Sequence, residues 1–224
     1  MNHTRTIQVL GNDVFSRLQQ RRVIVFGVGG VGGWCAETLI RSGIRHLTIV
    51  DCDVIDSSNI NRQLVATSQN IGQVKVEAMK QRLLHICPEA DIVAIHRKYT
   101  GMEKDWHLEQ YDYVIDAIDS IDCKVRLIHE VTHLSSGTVL FSSMGAGRKV
   151  DAMRVRVAEF WKVEGCPLAR ALRTRMKKEG LLPGKKFQCV YSPELVSDAG
   201  SLAPVVGVCG MYLTNLLILH EQEN

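Results

Sequence analysis

A glycine-rich segment near the start of the chain constrains the fold more than any other stretch. Residues 26–34 read FGVGGVGGW, and Gly27, Gly29 and Gly32 fit the spacing G-x-G-x-x-G. This spacing is typical of the turn between the first strand and first helix of a Rossmann-like domain, where backbone amides bind phosphates. Asp51 follows at about the distance expected for an acid that binds a ribose. The motif alone leaves NAD, FAD and ATP as alternatives.

Apolar runs and helical patterns alternate through the first two thirds of the chain, as a parallel α/β sheet requires. The predicted strands are 23–26, 47–50, 92–95, 113–116 and 139–142. We predict one helix after Gly32 that stops at Gly43, and a second over 74–87 that Pro88 ends. The sequence therefore predicts an α/β, Rossmann-like fold: a mainly parallel sheet with helices on both faces, completed by a C-terminal extension.

The pattern changes in the last third of the chain. Val155 and Val157 alternate with arginines, which predicts an exposed strand. Residues 202–219 form the longest apolar run, but Pro204 and Asn215 interrupt it. We therefore predict a buried or interface helix there rather than a membrane span.

Composition narrows the class of protein. The chain is 46% hydrophobic and 23% charged, close to the average for soluble proteins, and its N-terminus lacks the apolar segment of a signal peptide. Its seven cysteines form no C-x-x-C pair, and an odd number without a leader favours a reducing cytoplasm. We see no linker and no repeat, so we expect one domain over 1–224, with a nucleotide-binding core at 1–147 and a specialised third at 148–224.

Polar residues after the second and fourth predicted strands favour one nucleotide over the others. They are Asp51, Asn59, Arg62, Gln63, Lys75 and Asp119. Arg62 and Lys75 suit the outer phosphates of ATP, and Asp119 suits a magnesium ion that bridges them. Each of these three has an alternative: Arg62 in a surface ion pair, Lys75 as a solvated helix residue and Asp119 as a helix N-cap.

The motifs GVGGVG, DCD, SNINRQ, IGQVK and VIDAID occur in order within about residues 5–145. This series resembles the ATP-binding core of the ubiquitin-activating-enzyme-like superfamily, which includes MoeB and ThiF. Those enzymes adenylate a carboxylate. The resemblance implies ATP with Mg²⁺, a homodimer, and attack of the substrate's own carboxylate on the α-phosphate.

The resemblance also implies roles for individual residues. With the fingerprint glycines and Gln63, the nucleotide-binding set is Gly27, Gly29, Gly30, Gly32, Asp51, Ser58, Asn59, Arg62, Gln63, Lys75, Asp119 and Ser120. Arg62, Lys75 and Asp119 are expected to be catalytic as well, with Asp119 as the magnesium ligand. Arg5 matches an arginine that the family sends across a dimer interface to the partner's phosphates.

Two substrate classes compete within this superfamily. MoeB and ThiF adenylate the C-terminal glycine of a sulfur-carrier protein, and typical members have two C-x-x-C pairs that bind zinc. This chain has no such pair, so we expect no zinc. The stretches CPLARALRTRMKKEG and CVYSPE instead resemble the tRNA threonylcarbamoyladenosine dehydratases, the TcdA or CsdL group. That resemblance implies adenylation and cyclisation of N6-threonylcarbamoyladenosine in tRNA.

Charge clustering agrees with an RNA substrate. The segment 170–186 contains one acid, Glu179, and seven basic residues: Arg170, Arg173, Arg175, Lys177, Lys178, Lys185 and Lys186. Such a cluster would contact phosphates without reading sequence. A solvated amphipathic helix is the alternative. Arg148, which follows GAG, is a further candidate contact to the substrate, with a surface arginine as the alternative.

Other functions remain open on the sequence alone. A nicotinamide oxidoreductase and a non-catalytic tRNA-binding module are alternatives from other classes, and the joint presence of Arg62, Lys75 and Asp119 argues against both. A desulfurase or sulfur-acceptor protein is a candidate partner. Cys189 is either a nucleophile or sulfur acceptor, or a buried packing residue, and its apolar neighbours favour packing.

Overall fold

The computed structural model describes residues 1–103 and 105–223. The helices are α1 (Thr4–Leu10), α2 (Asn12–Gln20), α3 (Gly30–Ser42), α4 (Lys75–Ile86), α5 (Ile121–His133), α6 (Pro167–Glu179) and α7 (Ala203–Glu223). The strands are β1 (Arg22–Phe26), β2 (His46–Asp51), β3 (Asp91–His96), β4 (Tyr113–Asp116), β5 (Val139–Ser143), β6 (Arg156–Glu159) and β7 (Gln188–Tyr191). The five predicted strands are confirmed to within one residue at each end.

The strands form one sheet in the order β3-β2-β1-β4-β5-β7-β6. All neighbours are parallel except β6, which pairs antiparallel with β7 at the edge. Strand β6 is the exposed strand that the alternating valines predicted. The chain proceeds outward from β1 in one direction and from β4 in the other, so the order reverses between these two strands. Ligands of open α/β sheets bind in the crevice at such a switch point.

Helices cover both faces of the sheet, as predicted. Helices α3, α4 and α7 bury their apolar residues against one face, in a cluster that includes Leu39, Met79 and Leu213. Helices α5 and α6 cover the other face, where Leu127 and Leu172 are fully buried. Because both faces are buried, the central strands read as continuous apolar runs rather than as alternating patterns.

Helix α7 is long and apolar enough to cross a membrane by length and composition, a test that core helices of soluble proteins also pass. It packs lengthwise on α3, and the approach is so close that a Cβ at Gly210 would lie 2.4 Å from the Val31 carbonyl oxygen. Its last turn is held beside the start of β1, because Arg21 Nε donates a hydrogen bond to Glu221 Oε1 at 2.7 Å. These contacts support the predicted buried or interface helix.

Candidate active site

A cavity of about 680 Å³ opens at the carboxyl edge of the sheet, over the switch point between β1 and β4. The turn after β1, the ends of β2 and β4, and the start of α4 line one end of it. The segment 143–149 after β5 lines the other end, together with the start of α6 at 166–168. The topology therefore brings residues from distant parts of the sequence to one concave surface.

The glycines of the turn have different tasks. Gly27 has φ +87°, and a Cβ there would lie 2.7 Å from the Ala117 carbonyl oxygen. A Cβ at Gly32 would lie 1.7 Å from the Gly27 carbonyl oxygen, so this glycine allows α3 to start close to β1. Gly27, Gly29 and Gly30 line the cavity. Gly32, although described by the structure, lies outside the lining, and its role here is close packing.

Asp51 fixes the glycine turn to the end of β2. Its Oδ2 accepts a hydrogen bond from the Val28 amide at 2.8 Å, and its Oδ1 accepts one from the Asp53 amide at 2.9 Å. The carboxylate therefore has a fixed orientation at the cavity wall. Each oxygen keeps a second lone pair that can accept a hydrogen bond from a hydroxyl group, as ribose recognition requires.

Lys75 is the first residue of α4 and is only 5% exposed. Its Nζ lies 2.8 Å from Asp53 Oδ2, and both residues line the cavity. The hydrogen bond from Lys75 lowers the pKa of the Asp53 carboxyl. The alternative of a solvated helix residue is therefore wrong: Lys75 is a positioned cation at the same end of the cavity as the glycine turn.

Arg62 follows the short 3₁₀ helix Ser57–Asn59, which the Asp56 side chain caps. The Arg62 Nη1 donates to the Ser58 carbonyl oxygen at 2.8 Å, and the residue lines the cavity. No carboxylate within the described residues lies at ion-pair distance from it, so the alternative of a surface ion pair is not observed. Its positive charge is available to a ligand.

Three further predicted residues accompany Arg62. Asn59 and Gln63 are buried and line the cavity. The Gln63 Oε1 is buried and has no hydrogen-bond partner among the described residues, which is the state expected of a group that a ligand satisfies. Ser58 is described as an exposed residue of the same turn, and it does not line the cavity.

Asp119 and Ser120 lie in the loop between β4 and α5 and line the cavity beside the glycine turn. Ser120, not Asp119, is the N-cap residue of α5, and its side chain makes no capping hydrogen bond. In the described part of the chain no hydrogen bond or ion pair engages the Asp119 carboxylate, which is exposed. An uncommitted carboxylate at this place fits a magnesium ligand, since Mg²⁺ prefers oxygen donors.

A buried ion pair that the sequence analysis missed supports this loop. Asp116 and Lys124 are both 0% exposed, and Lys124 Nζ lies 2.8 Å from Asp116 Oδ2. Lys124 Nζ also donates to the Ile118 carbonyl oxygen at 3.0 Å, and Ser142 Oγ donates to Asp116 Oδ2 at 2.7 Å. The one available signal was a lysine within the apolar face of α5. The pair fixes the strand end that carries Asp119.

The far end of the cavity is formed by the segment after β5. Arg148 lines it and has φ +60°, a strained conformation for a residue with a side chain. Its guanidinium donates to the Val196 carbonyl oxygen at 3.2 Å and to the Ser197 carbonyl oxygen at 2.8 Å. Arg148 therefore joins the segment after β5 to the segment 196–197. The next residue, Lys149, also lines the cavity and was not among the predicted site residues.

The basic segment is divided between packing and solvent. Arg173 donates to the Val163 carbonyl oxygen at 2.8 Å, Arg175 pairs with Asp122 and Glu179 at 2.5 Å each, and Lys185 donates to the Leu134 carbonyl oxygen at 2.7 Å. The members for which the described residues provide no ion pair or hydrogen bond through the side chain are Arg170, Lys177, Lys178 and Lys186. Helix α6 is amphipathic, as the alternative requires, with Leu172 and Met176 buried. The four cations without such partners stay compatible with both interpretations.

Two other predicted residues lie away from the cavity. Arg5 is exposed on α1 and does not contribute to the lining. Cys189 is fully buried in β7, and burial raises the pKa of its thiol well above the usual value. The interpretation of Cys189 as a packing residue is supported, because a buried thiol with a raised pKa is a poor nucleophile.

Comparison with known proteins finds similar sequences and similar structures. The model of the ThiF family matches residues 2–219. A curated relative from Bacillus subtilis, named tRNA threonylcarbamoyladenosine dehydratase, is 38% identical over 85% of this chain and 74% of its own. Crystal structures of the Escherichia coli tRNA N6-threonylcarbamoyladenosine dehydratase TcdA superpose with a TM-score of 0.92 for the complex with AMP and 0.90 for the complex with ATP. These two are 30% and 29% identical, and each match covers 98% of this chain and 93% of that chain.

Proposed function

The chain belongs to the ThiF family, and we propose that it is an ATP-dependent tRNA threonylcarbamoyladenosine dehydratase. One observation carries the proposal: a single cavity joins the phosphate-binding turn to the segment 143–149 and the start of α6. A nucleotide and a second substrate can therefore meet within it. The names of the similar proteins favour the dehydratase over the sulfur-carrier adenylyltransferase, and the ATP complex of the E. coli enzyme supports ATP as the nucleotide.

The first step joins two anions, and the residues of the nucleotide end suit it. The threonyl carboxylate attacks the α-phosphate, a new C–O–P linkage forms, and pyrophosphate leaves with the electrons of the broken phosphoanhydride bond. Negative charge grows on the transferring phosphate. Arg62 and Lys75 would bind the phosphates and stabilise this transition state more than the ground state, an effect worth about 3–4 kcal/mol per well-placed donor.

Asp119 would hold the Mg²⁺ ion. The fit rests on its position beside the glycine turn and on its uncommitted carboxylate. When bound, the ion would neutralise charge on the phosphate oxygens. Asp51 would orient the ribose, and the unpartnered Gln63 Oε1 would accept a hydrogen bond from the nucleotide.

The second step closes the ring. The ureido nitrogen attacks the activated carbonyl carbon, the new C–N bond forms, the C–O bond to AMP breaks, and the nitrogen loses its proton. Together the two steps remove one water from the modified base and convert ATP to AMP and pyrophosphate. The far end of the cavity, between 143–149 and 166–168, would hold the base during this step.

The remaining predictions concern assembly and RNA binding. We propose that Arg170, Lys177, Lys178 and Lys186 contact tRNA phosphates without reading sequence. The enzyme would act in the cytoplasm as a homodimer in which Arg5 reaches the partner's phosphates, with the third at 148–224 serving substrate binding and dimer formation. A desulfurase or sulfur-acceptor partner stays a prediction for which the described contacts offer no support.

The deciding experiment measures AMP release with ATP and Mg²⁺. Modified tRNA carrying N6-threonylcarbamoyladenosine should release AMP and lose the mass of one water, and unmodified tRNA should do neither. If modified tRNA yields no AMP, while a ubiquitin-like sulfur carrier stimulates pyrophosphate exchange, the dehydratase function is wrong and the alternative replaces it.

A further inference from the structure

Lys149 is a buried cation that the chemistry above does not use. It is 3% exposed, follows Arg148 directly and lines the far end of the cavity. Its Nζ donates to the Glu194 carbonyl oxygen. Within residues 1–103 and 105–223, no carboxylate lies at ion-pair distance from this ammonium. An ammonium has three donors, so two of them have no acceptor in the described part of the chain.

The nearest acid is committed elsewhere. The Glu194 carboxylate accepts hydrogen bonds from the Asp151 amide at 2.9 Å and from the Val150 amide at 3.0 Å, and these bonds lower the pKa of its carboxyl group. Burial lowers the pKa of Lys149. A buried charge without a counter-ion is unfavourable in the free protein, because its hydration is lost without replacement. A negatively charged ligand would supply the missing partner.

Among the described residues, the surroundings of Lys149 provide no such partner. The acids that line the cavity in the described chain are Asp51, Asp53 and Asp119, all at the nucleotide end. The far end, formed by 143–149 and 166–168, includes the apolar residues Met144 and Leu168 and contains no acid. The Arg148 guanidinium is already engaged by two backbone carbonyls. Of the two described cations in 143–149 and 166–168, Lys149 is therefore the one whose charged group is less committed to the protein.

We propose that Lys149 binds the carboxylate of the threonyl group before adenylation and its carbonyl oxygen during ring closure. The inference rests on the proposed function and assigns a residue to its acyl substrate. Before adenylation, the ammonium would hold one carboxylate oxygen and leave the other to attack the α-phosphate. During ring closure, charge collects on the carbonyl oxygen as the C–N bond forms, and the same ammonium stabilises it until AMP leaves.

The test compares Lys149→Met, which removes the charge at similar size, with Lys149→Gln, which keeps a donor. The matched control is Lys162→Met, an exposed lysine outside the cavity lining. With Lys149→Met we expect single-turnover AMP formation to fall by about 10²–10³-fold, the effect of removing one oxyanion donor, and the KM for ATP to stay unchanged. Lys149→Gln should fall between Lys149→Met and the wild type.

A binding measurement separates substrate contact from a structural role. In the presence of a non-hydrolysable ATP analogue, the wild type should bind modified tRNA more tightly than unmodified tRNA, and both Lys149 variants should lose part or all of this preference. An undiminished preference, or AMP formation within about twofold of wild type in Lys149→Met, would overturn the inference. Equal weakening for both tRNAs and for ATP would also overturn it, in favour of a structural role. Failure of the proposed function looks different, because the wild type itself would then release no AMP from modified tRNA.

Discussion

Removal of the Lys124 ammonium should strongly destabilise the protein. Both members of the Asp116 and Lys124 pair are 0% exposed, and Lys124 Nζ lies 2.8 Å from Asp116 Oδ2. In Lys124→Met the Asp116 carboxylate would stay buried, and its remaining partners among the described residues would be the Ser142 hydroxyl and the Ile118 amide. Breaking a buried pair in this way costs about 3–5 kcal/mol, since the remaining charge is uncompensated. At roughly 2–4 °C per kcal/mol for a chain of this size, Tm should fall by about 6–20 °C.

Urea denaturation measures this loss as a lower midpoint with an unchanged slope. Arg41→Met is the matched control, because Arg41 is half exposed and its partner Glu37 keeps Arg82 at 2.6 Å. It should cost less than about 1 kcal/mol, as exposed pairs do.

The double variant Asp116→Asn with Lys124→Met removes both charges. Its loss in free energy of unfolding should be smaller than the sum of the losses in the two single variants. A loss below about 1 kcal/mol for Lys124→Met would refute the reasoning, and so would strict additivity in the double variant. Lys124 also donates to the Ile118 carbonyl oxygen at 3.0 Å, so the loop that carries Asp119 should loosen with it. We therefore expect AMP formation to fall even at temperatures where Lys124→Met is folded.

Three further predictions follow from the site. Arg62→Ala should abolish AMP formation while tRNA binding, measured by filter retention, persists; loss of tRNA binding alone would contradict the assignment. Because the hydrogen bond from Lys75 lowers the pKa of Asp53 from 3.8, its stabilisation is present above that pH and is lost as the pH falls below it. The urea midpoints of wild type and Asp53→Asn should therefore differ at pH 7 and converge in acid, and a constant difference would exclude this origin. Neutralising the exposed α6 cations should weaken tRNA binding and reduce its salt slope by about 0.9 per lost phosphate contact, whereas an unchanged slope would restore the solvated-helix alternative. The residues to replace are Arg170, Lys177 and Lys178.

The parts of the fold and site that could be predicted are those with a local signal. The glycine turn and the central strands follow from short-range spacing and from continuous apolar runs, so their positions agree with the structure to within one residue for the strands. Arg62, Lys75 and Asp119 could be predicted because each follows a strand whose carboxyl end must lie at the same edge of the sheet. Topology thus converts positions in the sequence into proximity.

The residues that were missed depend on contacts between distant segments. Lys124 is an ordinary helix lysine in the sequence, and only the folded structure shows that it faces Asp116 inside the protein. Arg173 looks like part of an RNA-binding cluster, yet its guanidinium donates to the Val163 carbonyl oxygen. Composition gives the sign of a charge. Side-chain geometry decides whether the charged group bonds to other groups of the protein or is free to bind a ligand.

The C-terminal third of the chain contributes residues to the wall of the cavity. Val206, near the start of α7, lies so close to the glycine turn that a Cβ at Gly30 would be 3.3 Å from its Cγ2. The Arg148 amide donates to the Gly200 carbonyl oxygen at 2.8 Å, which joins the segment after β5 to the residues that precede α7. The predicted boundary at 147 and 148 therefore crosses the cavity wall. Because residues from both sides of the boundary line one cavity, the core and the C-terminal third form the site together.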